Sequence, residues 1–507
     1  MSSGRTRTEP TIARHTRARH LRSLTAAATL LVVAGPLAGP LAGCGDPEAP
    51  SEMNGGPVLE ETEVSLLRAA DQQQRGAPGI DGWWQTDGYG FAMEIRGEDL
   101  RLWQVTAVSC LPSYTGRRSE AQPRGKVAFL LDVGIRLTIA PGTNPNRKRM
   151  RTEGSVTDWH LDRIARLPAA CAQPIADDPL HVYDVFWTTY AENYPFSDDK
   201  GVDWNEVRAR TRPLVGPDTT PQALFEILAS MTRPLHDMHT HVFTSEGTYD
   251  GWRPDTPPYT EALAERVARI VERRDVGAPL QTWAGGRVSF ADLAGRIGYL
   301  RITAFDFGTE DADADAVEMD RILDEIFTPA RIKRQLGLII DVRMSTGGHN
   351  PLGLQVAARL TRRPYLAYAT VARRPRQDRY TPPELSWVQP GDQPSYTGPV
   401  VLLTSPYTVS AHEVFTQALL GRHPAVIRMG GNTQGAISDH HFRSLPNGWV
   451  FTLPNQRFFS GGAAYDGAGV PPTIRIPTML PSEIDRGEDA AFDQAVALLT
   501  RRPSRGQ

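Results

Sequence analysis

Over residues 76–175, hydrophobic and polar positions alternate in short runs separated by turn residues. Two examples are GWWQTDGYGFAMEIRGEDLRLWQVTAVSC and GKVAFLLDVGIRLTIAPG. A period of two places successive side chains on opposite faces of a β-strand, so the pattern predicts a small β-domain. Within it, Trp83, Trp84 and Trp103 are expected to be core or strand-face residues rather than a ligand-binding set.

From Asp178 the spacing of apolar residues becomes helical. The segments HVYDVFWTTYAENY and DWNEVRARTRPLV predict two helices, and Thr220-Pro221 marks the start of a third, because proline is favoured at the first helical position. This third helix has apolar residues at i, i+3, i+4 and i+7, namely Leu224, Ile227, Leu228 and Met231. The prediction is a helical cap over 176–250, followed over 251–290 by a linker rich in proline and charge.

The C-terminal half alternates between apolar strands and amphipathic helices. The predicted strands are GYLRIT at 298–303, LGLIIDV at 336–342, PVVLLT at 399–404 and AVIRM at 425–429. Helices are predicted around Met319 to Phe327, from near Pro351, and over SAHEVFTQALL. This alternation predicts an α/β core over 291–480, with a mostly parallel sheet covered on both faces, and then a C-terminal helix and tail over 481–507. Functional groups should lie in the loops after strand ends.

Two of these loops carry candidate chemistry. The loop DVRMSTGGHN contains Gly347 and Gly348, whose backbone N–H groups can approach a ligand closely, as an oxyanion hole requires, although a helix-capping turn has the same residues. The loop TSPYTVSAHE places Ser410 at a junction of strand and helix, where a serine is either a helix cap or a nucleophile. Rivals for the nucleophile role are Thr404, Ser405 and Thr408.

The stretch LHDMHTH contains His236, His239 and His241 together with Asp237. Three imidazoles and a carboxylate can hold zinc, but their order differs from the arrays of zinc hydrolases. A single functional histidine with two solvated neighbours is the preferred interpretation, because a neutral imidazole is the usual base for a serine. No metal or other cofactor is expected.

The N-terminus has the pattern of an export signal. The first 43 residues carry six arginines and one acidic residue, then an apolar run from Leu24 to Val33, and they end directly before Cys44. The final LAGC resembles a bacterial lipobox whose cysteine becomes lipidated. The interpretation is a signal peptide over 1–43, lipidation at Cys44, a tether over 44–75 and an extracytoplasmic protein anchored to a bacterial membrane. An ordinary signal with an incidental cysteine is the alternative.

Charge and cysteine content narrow the function classes. The chain has 55 basic and 58 acidic residues, of which six basic residues and one acidic residue lie in the predicted signal peptide. The remainder of the chain has 49 basic and 57 acidic residues. A mildly acidic body without a basic stripe argues against nucleic-acid binding. Cys110 and Cys171 can pair in an oxidising compartment or remain separate thiols, and the sequence leaves both alternatives open.

Eight motifs occur in the order found in the tail-specific, or C-terminal processing, proteases. They span about 180 to 475 and read DVFWTTYAENYPF with VDW, LHDMHT, GYLRITAF, DVRMSTGG, PVVLLTSPYTVSAHE, GGNTQG, LPNG and YDGAGVPPTIRIP. The chain therefore resembles this family, in particular its tricorn-core-like branch. The resemblance implies a spiral α/β core of the crotonase/Clp-protease type with a helical cap, here preceded by the small β-domain. The linker is too short to hold a PDZ domain.

By resemblance, Ser410 is the nucleophile, since it stands three residues before the glutamate of SAHE. The lysine that serves as base in processing proteases is missing, because Gly435 and Ala436 stand near its place. The tricorn-like branch uses a histidine of the cap instead, which is His239 here. The other implied positions are Asp466 as the orienting acid, the N–H groups of Gly347 or Gly348 and of Ala411 as oxyanion donors, and Glu413 as a supporting acid of mainly structural role.

The pattern departs from the family at two positions. Met238 stands where a serine precedes the histidine, and Asp466 replaces a longer glutamate. The implied function is a serine-type peptidase that cleaves peptides or unfolded proteins by Ser-His acyl transfer, with a homo-oligomer as one form of assembly. Two alternatives stay open: a non-catalytic ligand- or peptide-binding lipoprotein on the same fold, as in the retinoid-binding repeats, and a metallohydrolase built on the histidine cluster.

Overall fold

The computed structural model describes residues 79–120, 125–257, 259–277, 280–309, 311–375 and 379–501. The predicted signal peptide, the lipidation site Cys44 and the tether lie outside these ranges. Within the described residues, no helix combines the length and the apolar character that a membrane crossing needs.

The first domain is a closed barrel of eight antiparallel strands, in which β8 returns to pair with β1. Its interior is filled by side chains such as Trp84, Phe129 and Leu161, which are fully buried. Trp83 and Trp103 lie together on a strand face with their ring centroids 6.1 Å apart. The predicted β-domain is confirmed, with Trp84 in its core and Trp83 and Trp103 on a strand face, as expected. The strands are β1 (Gly82–Thr86), β2 (Phe91–Arg96), β3 (Asp99–Val105), β4 (Cys110–Arg118), β5 (Val127–Leu131), β6 (Arg136–Pro141), β7 (Arg147–Thr152) and β8 (Trp159–Ile164).

A disulfide bond joins the barrel to the segment that follows its last strand. Cys110, at the start of β4, is bonded to Cys171, which lies in a short 3-10 helix at Ala169–Ala172. The two cysteines are 61 residues apart, so the bond closes a long loop and restricts the unfolded chain. The structure thereby decides between the two alternatives that the sequence left open.

Three helices follow the barrel: α1 (Pro179–Asn193), α2 (Trp204–Thr211) and α3 (Pro221–Thr232). The Thr220 side chain accepts a hydrogen bond from the N–H of Ala223, so the predicted cap and start of α3 are confirmed. Their apolar faces form one cluster with Phe451 and Leu453 of a later strand. The helical segment is therefore packed directly on the C-terminal half.

The prediction of a linker over 251–290 is wrong for much of this segment. This segment forms helix α4 (Glu261–Ile270), strand β11 (Gln281–Trp283) and the first part of β12 (Val288–Leu293). Val267 and Val271 are buried in the same cluster as strand residues of the core. The apolar stripe of α4 is short and lies among many charged residues and prolines, so the sequence pattern did not predict this helix. Packing against the sheet is what makes α4 part of the core.

A seven-stranded sheet with the order β11-β12-β13-β14-β18-β19-β23 forms the core. Pairing is parallel from β13 to β23 and antiparallel from β11 to β13, which confirms a mostly parallel sheet. Along β14, Leu338 and Ile340 belong to one buried cluster and Ile339 to the opposite one, so both faces are covered. The remaining strands of this sheet are β13 (Ile297–Ile302), β14 (Gly337–Asp341), β18 (Val400–Thr404), β19 (Ile427–Gly430) and β23 (Ile474–Arg475).

Helices cover the two faces unequally. The helices α5 (Ala312–Ile326), α7 (Asn350–Ala358) and α8 (Ala411–Ala418) pack on one face, whereas α4 and α10 (Ala490–Thr500) pack on the other. Two shorter helices are α6 (Pro329–Arg334) and α9 (Pro481–Arg486). Because α7 and α8 follow β14 and β18, two parallel neighbours in the sheet, the loops before them meet at one edge.

Two smaller sheets surround the core. One has the order β10-β9-β21-β20, and the other has the order β16-β15-β17 with β22 paired to β15. Their strands are β9 (His241–Phe243), β10 (Thr248–Asp250), β15 (Tyr365–Arg374), β16 (Arg379–Tyr380), β17 (Glu384–Val388), β20 (His440–Ser444), β21 (Val450–Pro454) and β22 (Gln456–Phe459). The first of these sheets brings residues after α3 next to residues after β19.

Candidate active site

Ser410 lies in a strained turn between β18 and α8. Its backbone has φ 68° and ψ −138°, a conformation that costs a residue with a Cβ about 1–3 kcal/mol. The turn is tied to the end of β14, because the Thr408 hydroxyl donates to the Val342 carbonyl at 2.8 Å and the Val409 N–H donates to the Ser345 hydroxyl at 3.2 Å. A strained strand-to-helix turn of this kind is the local structure that serine nucleophiles use.

The glycine loop after β14 leaves backbone N–H groups unused. It pairs with Phe305 through two bonds, from the Phe305 N–H to the Gly347 carbonyl at 2.8 Å and from the His349 N–H to the Phe305 carbonyl at 2.6 Å. Within the described residues, the N–H groups of Gly347, Gly348 and Ala411 donate to no other group. A Cβ at position 348 would lie 2.3 Å from the Phe305 carbonyl, so only glycine fits. An oxyanion hole requires free donors near the nucleophile. Ala411 directly follows Ser410, and the glycine loop follows Ser345, whose hydroxyl accepts a hydrogen bond from the Val409 N–H.

Glu413 holds the helix that carries Ser410. Its buried carboxylate accepts hydrogen bonds from the N–H of Gly435 at 2.9 Å, the N–H of Ala436 at 3.0 Å and the Thr433 hydroxyl. Burial raises the pKa of Glu413 to about 7, although these hydrogen bonds work in the opposite direction. The contacts are those of a structural residue that joins α8 to the segment 433–436.

His239 is fully buried in the turn between α3 and β9. Its backbone N–H donates to an Asp237 carboxylate oxygen at 3.0 Å, and the Tyr194 hydroxyl donates to the other oxygen at 2.7 Å. The imidazole lies against the His440 ring, with 4.3 Å between centroids. Burial lowers the pKa of His239 well below its ordinary value, and His440 and His241 lower it further, whereas the Ser438 backbone opposes this. The ring is therefore neutral, as a general base must be.

Asp466 lies among other charged groups. Burial raises its pKa well above the ordinary value, and the Asp237 carboxylate raises it further, whereas Lys200 and Arg457 oppose this. In the described structure neither ring nitrogen of His239 has a hydrogen bond to a side chain, and the group that faces the ring most directly is the backbone of Ser438. The ring is therefore hydrogen-bonded neither to Asp466, its predicted orienting acid, nor to Ser410. Catalytic hydrogen bonds are often long before substrate binds.

The two neighbouring histidines differ from each other. His236 is exposed, as expected. The expectation of a solvated His241 is wrong, because this residue is only 8% exposed and its ring is 2.7 Å from an Asp250 carboxylate oxygen. Strand pairing between β9 and β10 brings His241 and Asp250 together. In the described part of the chain, no group of three or more His, Cys, Asp or Glu side chains is arranged to hold a metal ion.

Comparison with known proteins decides the family. Residues 296–476 match the model of peptidase family S41, and residues 176–233 match the tricorn protease C1 domain. The α/β core of this chain belongs to peptidase family S41. This family consists of serine peptidases, and the match confirms the resemblance that the ordered motifs indicated. No curated protein sequence matches this chain.

Solved structures similar to this chain include a candidate peptidase from Parabacteroides merdae. That match has 25% sequence identity and a TM-score of 0.55, and it covers 65% of this chain and 98% of the other. The photosystem II D1 C-terminal processing protease matches at 14% identity with a TM-score of 0.37, over 62% of this chain and 98% of its own. The tricorn protease matches at 15% identity with a TM-score of 0.38, over 81% of this chain and 45% of its own.

The sequence did not single out two residues that lie next to the candidate site, Gln434 and His440. Gln434 is 1% exposed, neither atom of its side-chain amide has a partner in the described structure, and its backbone N–H donates to the Thr408 carbonyl at 2.9 Å. His440 packs on His239 although it comes from a different sheet strand. The available signals were the position of Gln434 directly before Gly435 and the Asp-His-His triplet that follows GGNTQGAIS.

His412 predicts a pH-dependent stability difference. Burial lowers its pKa to about 3, and its ring stacks on Phe305 with 4.3 Å between centroids. Below pH 6.5 the unfolded chain binds a proton at this residue that the folded protein does not, so His412 lowers the free energy of unfolding as the pH falls. In His412→Leu this loss is absent. For each pH unit below 6.5, the free energy of unfolding of the variant should therefore rise by about 1.4 kcal/mol relative to that of the wild type.

Urea unfolding of both proteins at several pH values between 7.5 and 5 (about the range in which histidine titrates) measures this difference. A packing change caused by leucine is independent of pH, so it shifts the free energy of unfolding by the same amount at every pH value. Parallel curves for the two proteins would mean that His412 takes up its proton in the folded state.

Proposed function

We propose that this chain is a serine-type peptidase that hydrolyses peptides or unfolded proteins by acyl transfer through Ser410 and His239. The observation that carries the proposal is the strained Ser410 turn, which a hydrogen bond from Val409 to Ser345 joins to the loop with the unused N–H groups of Gly347 and Gly348. Membership of a serine peptidase family supports the same reaction.

The reaction begins when the Ser410 hydroxyl attacks the peptide carbonyl and passes its proton to His239. The resulting oxyanion accepts hydrogen bonds from the free N–H groups, each of which typically lowers the barrier by about 2.7–4 kcal/mol. His239 then gives the proton to the leaving amine, and water hydrolyses the acyl-enzyme. His239 must approach Ser410 in the substrate complex, because the two are not hydrogen-bonded before it forms.

The remaining parts of the proposal concern Asp466, the core and the location. Asp466 is proposed to orient His239, which requires it to ionise when the site rearranges. The core is proposed to have the spiral topology of the crotonase/Clp-protease type, in a protein that assembles as a homo-oligomer. The chain is proposed to be exported and anchored to the membrane by lipid on Cys44. Loss of palmitate incorporation in Cys44→Ser would support the anchor, and unchanged incorporation would contradict it.

A non-catalytic binding lipoprotein is the second candidate. Three observations favour it: the His239 ring has no hydrogen bond to Ser410 or Asp466, the position before His239 is Met238 instead of a serine, and Ser410 is fully buried. Such a protein would hold a peptide or another ligand on the same loops without cleaving it.

The protein from Asp46 onward should be tested on a mixed peptide library beside Ser410→Ala and His239→Ala. The proposal expects cleavage by the wild type that both variants lose, and labelling of Ser410 by a fluorophosphonate probe. Equal behaviour of all three proteins, with peptide binding retained, would establish the binding lipoprotein instead. Stoichiometric zinc in the purified protein would overturn both the serine peptidase and the binding lipoprotein in favour of a metal enzyme.

A further inference from the structure

Strand β20 stands between the barrel and the candidate active site. One edge of β20 pairs with β21. Its side chains alternate, so that His440 and Phe442 lie on one side while His441 and Arg443 lie on the other. The first side contacts the histidine turn after α3, and the second enters the barrel.

The barrel side of β20 is embedded among aromatic residues. The His441 ring packs edge-on against Trp159, with 4.8 Å between centroids. The Arg443 guanidinium is 4.0 Å from the centre of the Phe91 ring and donates to the backbone carbonyls of Tyr89 and Gly90. Arg443 is 2% exposed, so its charge is stabilised by barrel carbonyls and an aromatic face instead of water.

Barrel residues also bind the two ends of this strand. At its C-terminal end, the Gln104 side chain accepts a hydrogen bond from the Ser444 N–H at 2.9 Å and donates to the Ser444 carbonyl. Just before its N-terminal end, the Ser155 hydroxyl of the β7–β8 loop donates to the Asp439 carboxylate at 2.9 Å. The strand is thus held at both ends by a domain that lies about 280 to 350 residues earlier in the chain.

The other side of the same segment contacts catalytic candidates. His440 lies against the His239 ring at 4.3 Å. The Asp439 carboxylate accepts a second hydrogen bond from the Asn350 side-chain amide at 3.2 Å, and Asn350 is the first residue of α7, directly after the glycine loop. The barrel also touches this loop itself, since a Cβ at Gly154 would lie 2.6 Å from the His349 ring.

We propose that the barrel is a positioning element of the candidate active site, which holds His440 against His239 and fixes the start of α7 through Asp439. Ser155 and Gln104 are the positioning residues, because each touches the segment 439–444 and neither touches the catalytic candidates. The effect on catalysis rests on the proposed function, whereas the effect on the His239 ring does not.

The test uses three variants of the full chain. Ser155→Ala removes the hydrogen bond to Asp439 before the N-terminal end of β20, and Gln104→Met removes the hydrogen bonds to Ser444 at its C-terminal end. Thr115→Ala is the matched control, because it removes a hydroxyl-to-carboxylate hydrogen bond of the same length, 2.9 Å to Asp132, within the barrel. Histidine side chains labelled with nitrogen-15 report on the imidazoles, and the His239 signal is assigned by its loss in His239→Gln.

Ser155→Ala and Gln104→Met should move the His239 signal and lower kcat roughly tenfold or more with KM changed less than about twofold, as expected when only the reacting groups are misplaced. Thr115→Ala should change none of these quantities, and Ser155→Thr should restore the wild-type signal. A His239 signal that stays in place in both barrel variants would overturn the proposal. If the wild type cleaves no peptide, the proposed function fails, but the His239 signal still decides the positioning role.

Discussion

Ser410→Ala should lower kcat for peptide hydrolysis on the order of 10⁴-fold or more, because the attacking oxygen is removed while the oxyanion donors remain. The side chain is small and fully buried, so the fold should persist. The measurement is the steady-state rate on a peptide that the wild type cleaves. Residual hydrolysis within about tenfold of the wild type would assign the nucleophile to another residue.

Ser410→Gly provides the control for backbone strain. It should lose activity as fully as the alanine variant, but glycine relieves the strain of φ 68° that serine and alanine share. Glycine also gives the unfolded chain more conformational entropy, which lowers the free energy of unfolding. After correction for this contribution, the free energy of unfolding of Ser410→Gly should exceed that of Ser410→Ala by about 1 kcal/mol. Denaturant unfolding of the two variants measures this difference, and equal stability would show that the turn is not strained.

Arg343→Met should lower the free energy of unfolding by about 3–5 kcal/mol, since it leaves buried carboxylates without their partner. The Arg343 side chain has no exposed area. It donates to the Asp341 carboxylate at 2.7 and 3.0 Å and to the Asp489 carboxylate at 2.6 Å. This network lies at the end of β14, where the chain turns toward the glycine loop, so activity should fall together with stability.

The control for this prediction is Arg321→Met. Arg321 forms ion pairs with Glu318 and Glu325, but its side chain is 50% exposed on α5. Exposed ion pairs contribute about 0–1 kcal/mol, so this variant should remain close to the wild type in denaturant unfolding. A similar small loss for Arg343→Met would mean that water or rearranged side chains compensate the buried carboxylates.

Local patterns of the sequence determined the main elements of the core. The buried strands β14 and β18 read as continuous apolar runs because helices cover both sides, and α3 begins at the predicted Thr220 cap. Parallel neighbours end at the same edge of a sheet, so the loops that contain Gly347 and Ser410 could be expected to meet. The ordered motifs then indicated the family.

Only the tertiary structure decided which distant residues meet. Closure of the barrel, the Cys110–Cys171 bond and the packing of His440 on His239 all join segments that no local period connects. The same holds for α4, whose short apolar stripe became visible only as part of a buried cluster.

Electrostatic behaviour at the site also depended on burial. Asp466 and Glu413 are ordinary acids in the sequence, yet burial raises the pKa of both. Burial likewise keeps His239 neutral. The sequence by itself therefore determined which residues are available for chemistry, since residue type and local spacing are encoded in neighbouring positions. Their partners and protonation were decided by the fold, because these depend on which distant groups exclude water from each other.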